Sequence, residues 1–136
     1  MTGFVLVGSQ YDRVPEFLRR EVEGFPASPE YELYDEEMRE LPGLACAALS
    51  AFLERLQEAE LREGLSESEA RSLDDAYQAI EALSRGEPEV QNLVQTEIFE
   101  NFQALPKVWK AIEARLGPSA TALLDDWKKR NADVAL

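Results

Sequence analysis

Between Glu87 and Leu105 the chain reads EPEVQNLVQTEIFENFQAL, with apolar residues at Val90, Val94, Ile98, Phe102 and Leu105. Steps of four, four, four and three residues align these side chains along one side of an α-helix. Leu93 and Phe99 widen the line to the breadth of a core-facing stripe and break the alternation that a half-buried strand needs. Pro88 suits a first helical turn, where its missing N–H costs nothing, and Leu105 is biased out of the helical region by Pro106. The spacing predicts one helix over residues 87–105, serving as the central packing element. Its charged residues are Glu87, Glu89, Glu97 and Glu100, with no lysine or arginine among them.

The flanking segments follow the same logic. Asp12 or Ser9 can cap a first helix running to about Glu23, with Pro15 in its first turn, Val14, Phe17, Leu18 and Val22 on one face, and Gly24 as its stop. Pro42 opens a long helix to about Leu61, with Leu44, Ala48, Leu49, Phe52, Leu53 and Leu56 inward and Gly64 at its exit. Ser66 and Glu69 have the spacing of a capping box, with Leu65 placed to staple onto Ala70. The helix they start runs to about Ser84 and buries Leu73, Tyr77, Ile80 and Leu83 before Gly86. Pro106 opens a helix facing inward with Val108, Trp109, Ile112 and Leu116. Gly117-Pro118 leads into a last helix with Leu123, Leu124 and Trp127 inside and Lys128, Lys129 and Arg130 at its C-terminal dipole. A short extended segment is possible at Phe4–Val7.

The expected fold is therefore all-α: a compact bundle of about six helices in one domain spanning residues 1–136, joined by short Gly/Pro turns. No pattern recurs at solenoid spacing. A chain of 136 residues, 45% hydrophobic, is long enough to bury a core without staples. Cys46 is the only cysteine, which excludes an internal disulfide and fits a reducing, cytoplasmic setting. Among Ala45, Ala47 and Ala48 it reads as a small buried apolar residue. The Phe4–Val7 run has no preceding basic residue and is neither a secretory signal nor a membrane span.

Charge is the outlier. The net charge is −13, and residues 107–136 hold six bases against four acids, so the first 106 residues carry −15. Such a surface disfavours phosphate neutralisation, hence direct nucleic-acid or anionic-membrane binding, and complements a basic protein. Solubility alone could also account for it.

Catalytic patterns are scarce. With no histidine and one cysteine there is no Ser-His-Asp triad, Cys-His pair or His-containing zinc site. Phosphate-cradling glycine loops are absent too. Glu37/Glu40, Glu60/Glu63 and Glu97/Glu100 have the i,i+3 spacing of Mg²⁺-binding all-α nucleotide pyrophosphohydrolases, but no E-x-x-D follows them, and solvated helix faces explain them better. We therefore expect no enzyme, no cofactor and no metal site.

What remains is recognition. Residues 25–42 interrupt the helices with three prolines, two tyrosines and six acids. A loop of that length and composition is the first candidate for contact, through Glu30, Tyr31, Glu32, Tyr34, Asp35, Glu36, Glu37 and Glu40. The second candidate is the face carrying Glu87, Glu89, Glu97 and Glu100. A structural alternative is that Phe25, Tyr31 and Tyr34 pin the loop to the bundle as a tethered linker.

Val90-Gln-Asn-Leu-Val94, Ile98-Phe-Glu-Asn-Phe102 and the short helix ending Leu116-Gly-Pro118 resemble a pattern in small acidic helical bacterial proteins. Those serve as immunity proteins in polymorphic toxin and contact-dependent growth inhibition systems. The resemblance covers the last third of the chain and rests mostly on core positions. It implies an antitoxin that binds and occludes a basic toxin domain, with a nuclease as the expected toxin. A helical adaptor of an unrelated complex is the alternative.

Overall fold

The computed structural model describes residues 10–103 and 105–131. In these the chain is mostly helical, with no strand. The elements are α1 (Gln10–Glu21), the single turn α2 (Pro29–Glu32), a 3₁₀ turn (Met38–Glu40), α3 (Pro42–Arg62), α4 (Glu67–Ser84), α5 (Pro88–Leu93), a π-helical segment (Val94–Phe99), α6 (Pro106–Arg115) and α7 (Pro118–Asn131). The Phe4–Val7 segment and Ser9 lie outside the described residues.

The axis of the bundle is α3, not the 87–105 segment. It packs against α1, α2, α4, α5, α6 and the π segment. Its alanines explain this role. Ala45, Cys46, Ala48 and Ser50 are all buried along with Leu49, Phe52, Leu53 and Leu56, so small side chains let neighbours approach on more than one face. The core they form is continuous from Val14 on α1 to Leu124 on α7.

The predicted helix over 87–105 is broken. Regular α-helix ends at Leu93, six residues follow with π geometry, and the chain turns at Glu100–Asn101. A strict four-residue repeat drifts around a helix of about 3.6 residues per turn. Widening the turn, as in the Glu100 N–H to Gln95 carbonyl bond (3.2 Å), keeps Val90, Val94 and Ile98 all at 0% exposure. Side chains then satisfy groups left free where the helix ends. Ser50 Oγ donates to the Ile98 carbonyl (2.9 Å), Asn101 Nδ2 to the Glu97 carbonyl (2.7 Å), and the Gln103 N–H to Glu54 Oε2 (2.7 Å). Phe102 stays buried against Trp109, edge to face at 5.0 Å. Leu105, expected inside, is 69% exposed because the helix that would have turned it inward has already ended.

Local signals elsewhere act as expected except at the start of α1, which begins at Gln10, so that Asp12 stands in the first turn rather than at the cap and Pro15 lies inside the helix beyond that turn. Both halves of the capping box form, Glu69 N–H to Ser66 Oγ (3.2 Å) and Ser66 N–H to Glu69 Oε1 (3.0 Å). Gly24 (φ 80°) and Gly64 (φ 84°) occupy the left-handed region that ends a helix. Gly86 does not. It is there for closeness, since a Cβ would stand 3.1 Å from Gln10 Oε1, the Leu83 carbonyl and Val90 Cγ1.

An acidic loop as candidate interaction surface

The loop between α1 and α3 is built around Tyr31. Ser28 caps α2 through the Tyr31 N–H (3.3 Å), and Pro29 presets its first turn. That turn drives the Tyr31 ring into the core at 2% exposure, 4.6 Å from Phe25, which meets Phe52 edge-on at 5.5 Å. The buried hydroxyl is fully used. It donates to the Arg39 carbonyl (2.9 Å) and accepts from Arg19 Nη1 (2.9 Å).

Arg39 closes the loop on itself. Its Nε donates to the Tyr34 carbonyl (2.7 Å) and its Nη2 to the Glu32 carbonyl (3.3 Å), while Asp35 Oδ1 accepts from the Met38 N–H (3.0 Å) and starts the 3₁₀ turn. Arg19, Pro26, Tyr31, Glu36, Arg39 and Glu40 line a hollow of about 530 Å³ beside this framework.

The eight loop residues singled out from sequence thus divide by role. Tyr31 is a core anchor and presents no ring to a partner, because the α2 turn aims it inward. Glu30 is also committed, held by Arg55 Nε and Nη2 with its side chain 14% exposed. Tyr34 is half-buried against the core, and Glu40, though exposed, pairs with Arg19 at 2.9 Å. Glu32, Asp35, Glu36 and Glu37 are exposed and, among the described residues, make no ion pair. In the second group, Glu87, Glu89 and Glu100 are exposed. Glu97 is half-buried and lies 3.7 Å from where a Gly43 side chain would begin, at the N-terminus of α3, whose cap residue Leu41 offers no side-chain hydrogen bond.

Acids elsewhere are largely compensated. Arg115 meets Asp74 at 2.5 Å and Glu60 at 3.3 Å, lies 4.6 Å over the Tyr77 ring, and joins a network in which the Tyr77 hydroxyl donates to buried Gln57 (2.7 Å). Desolvation of Tyr77, partly offset by Arg115, pushes its phenol well above the ordinary range. Lys128 pairs with Glu113 (2.7 Å) and Arg130 with Asp126 (3.1 Å), so the basic tail neutralises its own neighbours. Such exposed pairs contribute little stability, but they cancel charge locally. Among the described residues, the exposed acids without an ion pair are, apart from the capping Glu69, Glu32, Asp35, Glu36 and Glu37 on the loop, Glu87, Glu89 and Glu100 in the second group, and the isolated Asp12 and Asp125.

Among the described residues, no three acidic or cysteine side chains converge to hold an ion. Cys46 is completely buried, and desolvation pushes its thiol far up, with Glu97 adding to the effect.

Two features escaped sequence reasoning. One is the organising role of Arg19 and Arg39, which could be suspected only because bases are scarce in this part of the chain. The other is an exposed apolar set on the same loop, Leu33, Met38 and Leu41. Its signal was the absence of helical spacing around apolar residues between prolines. No helix among the described residues is long and apolar enough to cross a membrane. No family model matches the chain, and neither the curated proteins nor the solved structures give a significant match.

Proposed function

We propose that this chain is a non-catalytic binding protein that captures and occludes a basic protein, in the manner of an immunity protein neutralising a nuclease toxin in the cytoplasm. The observation that carries the reading is the distribution of charge compensation. Most helix-face acids have basic or backbone partners, whereas Glu32, Glu36 and Glu37 are exposed with neither among the described residues, and Asp35 is exposed with only the Met38 N–H. Their loop is tied down by Tyr31, Arg39 and the Glu30–Arg55 pair. Unpaired charge on an ordered loop steers an oppositely charged partner and lowers the ordering cost of contact. Carboxylates placed this way could occupy a cleft that normally holds phosphates.

The test is co-expression with the protein encoded beside this chain. Protection from that neighbour's toxicity, with a complex that weakens as salt rises, is the expected result. A neighbour with no basic domain and no complex at low ionic strength would sink the reading. A helical adaptor is the second reading, favoured by the exposure of Leu33 (81%) and Leu41 (52%). It requires binding that tolerates high salt.

A further inference from the structure

Of the five large apolar side chains most exposed among the described residues, three lie within nine residues of one another: Leu33 at 81%, Met38 at 40% and Leu41 at 52%. Their setting is ordered. The Leu41 N–H bonds the Met38 carbonyl at 3.0 Å, and residues three apart eclipse in a 3₁₀ turn, so Met38 and Leu41 lie on one side. Arg39, within that turn, donates to the carbonyls on either side of Leu33, those of Glu32 and Tyr34, which ties the backbone around Leu33 to the same turn. Glu32, Asp35, Glu36 and Glu37 are interleaved with the three.

We infer that Leu33, Met38 and Leu41 are the apolar centre of the contact surface and the four acids its rim. The partner is then a basic protein that presents an apolar side chain flanked by lysine or arginine. This deepens the reading above and rests on it. Protein interfaces divide in this way, with a charge-depleted centre supplying affinity and a polar rim supplying orientation. Charge selects this occupant over a second copy of the chain, which would bring two unpaired acidic rims together. The ordered loop favours the role, since little conformational freedom is left to lose on docking.

The probes are two synthetic peptides of equal length and equal positive charge, one of lysine and leucine, the other of lysine and serine. They are titrated into the ¹⁵N-labelled full chain at low ionic strength. The lysine/leucine peptide is expected to shift the amides of residues 32–41 and to bind about tenfold tighter than its serine counterpart. Leu33→Ser with Leu41→Ser should erase that advantage while leaving the serine peptide's affinity unchanged. Both sites are on the surface, and circular dichroism will show the fold retained. Equal affinity of the two peptides, or shifts centred away from this loop, overturns the apolar centre but leaves the basic-partner reading standing. If neither peptide binds, the basic-partner reading itself fails. A dimer of the free protein that the double substitution dissolves would assign the patch to a second copy and overturn the inference.

Discussion

The carboxylate of Glu81 stands where a side chain of Gly117 would have to go. A Cβ at Gly117 would lie 2.5 Å from Glu81 Oε1. From that position Glu81, on α4, accepts the N–H groups of Ser119 (3.0 Å) and Ala120 (2.9 Å) and caps α7 from outside its own helix. Gly117→Ala should displace the cap and destabilise the protein by about 1–3 kcal/mol, while Glu81→Gln, which keeps shape but loses charge, should cost about 1 kcal/mol. Urea unfolding with unchanged m-values checks both. A Gly117→Ala protein as stable as the wild type would remove the cap from the account.

The same cap sets an acid limit. Partial burial opposes the Glu81 charge, but the Ala120 and Ser119 N–H groups, the Ser119 hydroxyl and Arg85 outweigh it and hold the carboxyl below its ordinary range. A carboxyl whose folded pKa is depressed stabilises the fold above its unfolded pKa, and that contribution disappears as pH falls through the folded value. Wild-type stability should therefore drop below about pH 4.5, the usual carboxyl range. The difference between wild type and Glu81→Gln should shrink across the same window. A difference constant from pH 7 to pH 3 in thermal melts would contradict this.

Gln95 makes the π segment a clasp for the last helix. Buried at 6% exposure, its Nε2 donates to the Leu123 carbonyl (2.9 Å) and Asp126 Oδ2 (3.0 Å), and its Oε1 accepts from Arg130. Gln95→Leu leaves the Leu123 carbonyl without this donor and should cost about 1–3 kcal/mol. Amide exchange should accelerate in residues 118–131 while α3 and α4 remain protected. Uniform acceleration throughout the chain would show that α7 is not separately held.

Tyr31→Phe tests how the loop is ordered. The ring still fills its place between Phe25 and the surrounding core, but the Arg39 carbonyl loses its donor and Arg19 an acceptor. Stability should fall by about 1–3 kcal/mol, and backbone relaxation at residues 32–40 should show new mobility. Unchanged relaxation would mean that Arg39 alone suffices.

Much of this fold can be read from residues whose effects are local. Ser66 and Glu69 cap α4, Gly24 and Gly64 end their helices, and Val14, Phe17 and Leu18 face inward, because each depends only on neighbours a few positions away. The break after Leu93 depends instead on α3 and α7, which supply Ser50 and the Leu123 carbonyl from far along the chain. Tyr31 illustrates the same limit at the candidate site. In sequence it could equally be a contact residue or a pin holding the loop to the bundle; the aromatic contact with Phe25 and the bonds to Arg19 and Arg39 decide for the pin. Spacing likewise could not distinguish Glu30, paired with Arg55, from Glu36 and Glu37.

The most direct test is the rate at which this chain associates with the protein encoded beside it, followed by stopped flow across a range of salt concentrations. Wild type is compared with Asp35→Asn, Glu36→Gln and Glu37→Gln combined, three surface changes that leave the Tyr31 anchor intact. The account predicts association about tenfold slower at low salt and a visibly flatter salt dependence in the variant, with the two proteins converging at high salt. Identical rates at low salt would contradict it and remove the acidic loop as the contact surface.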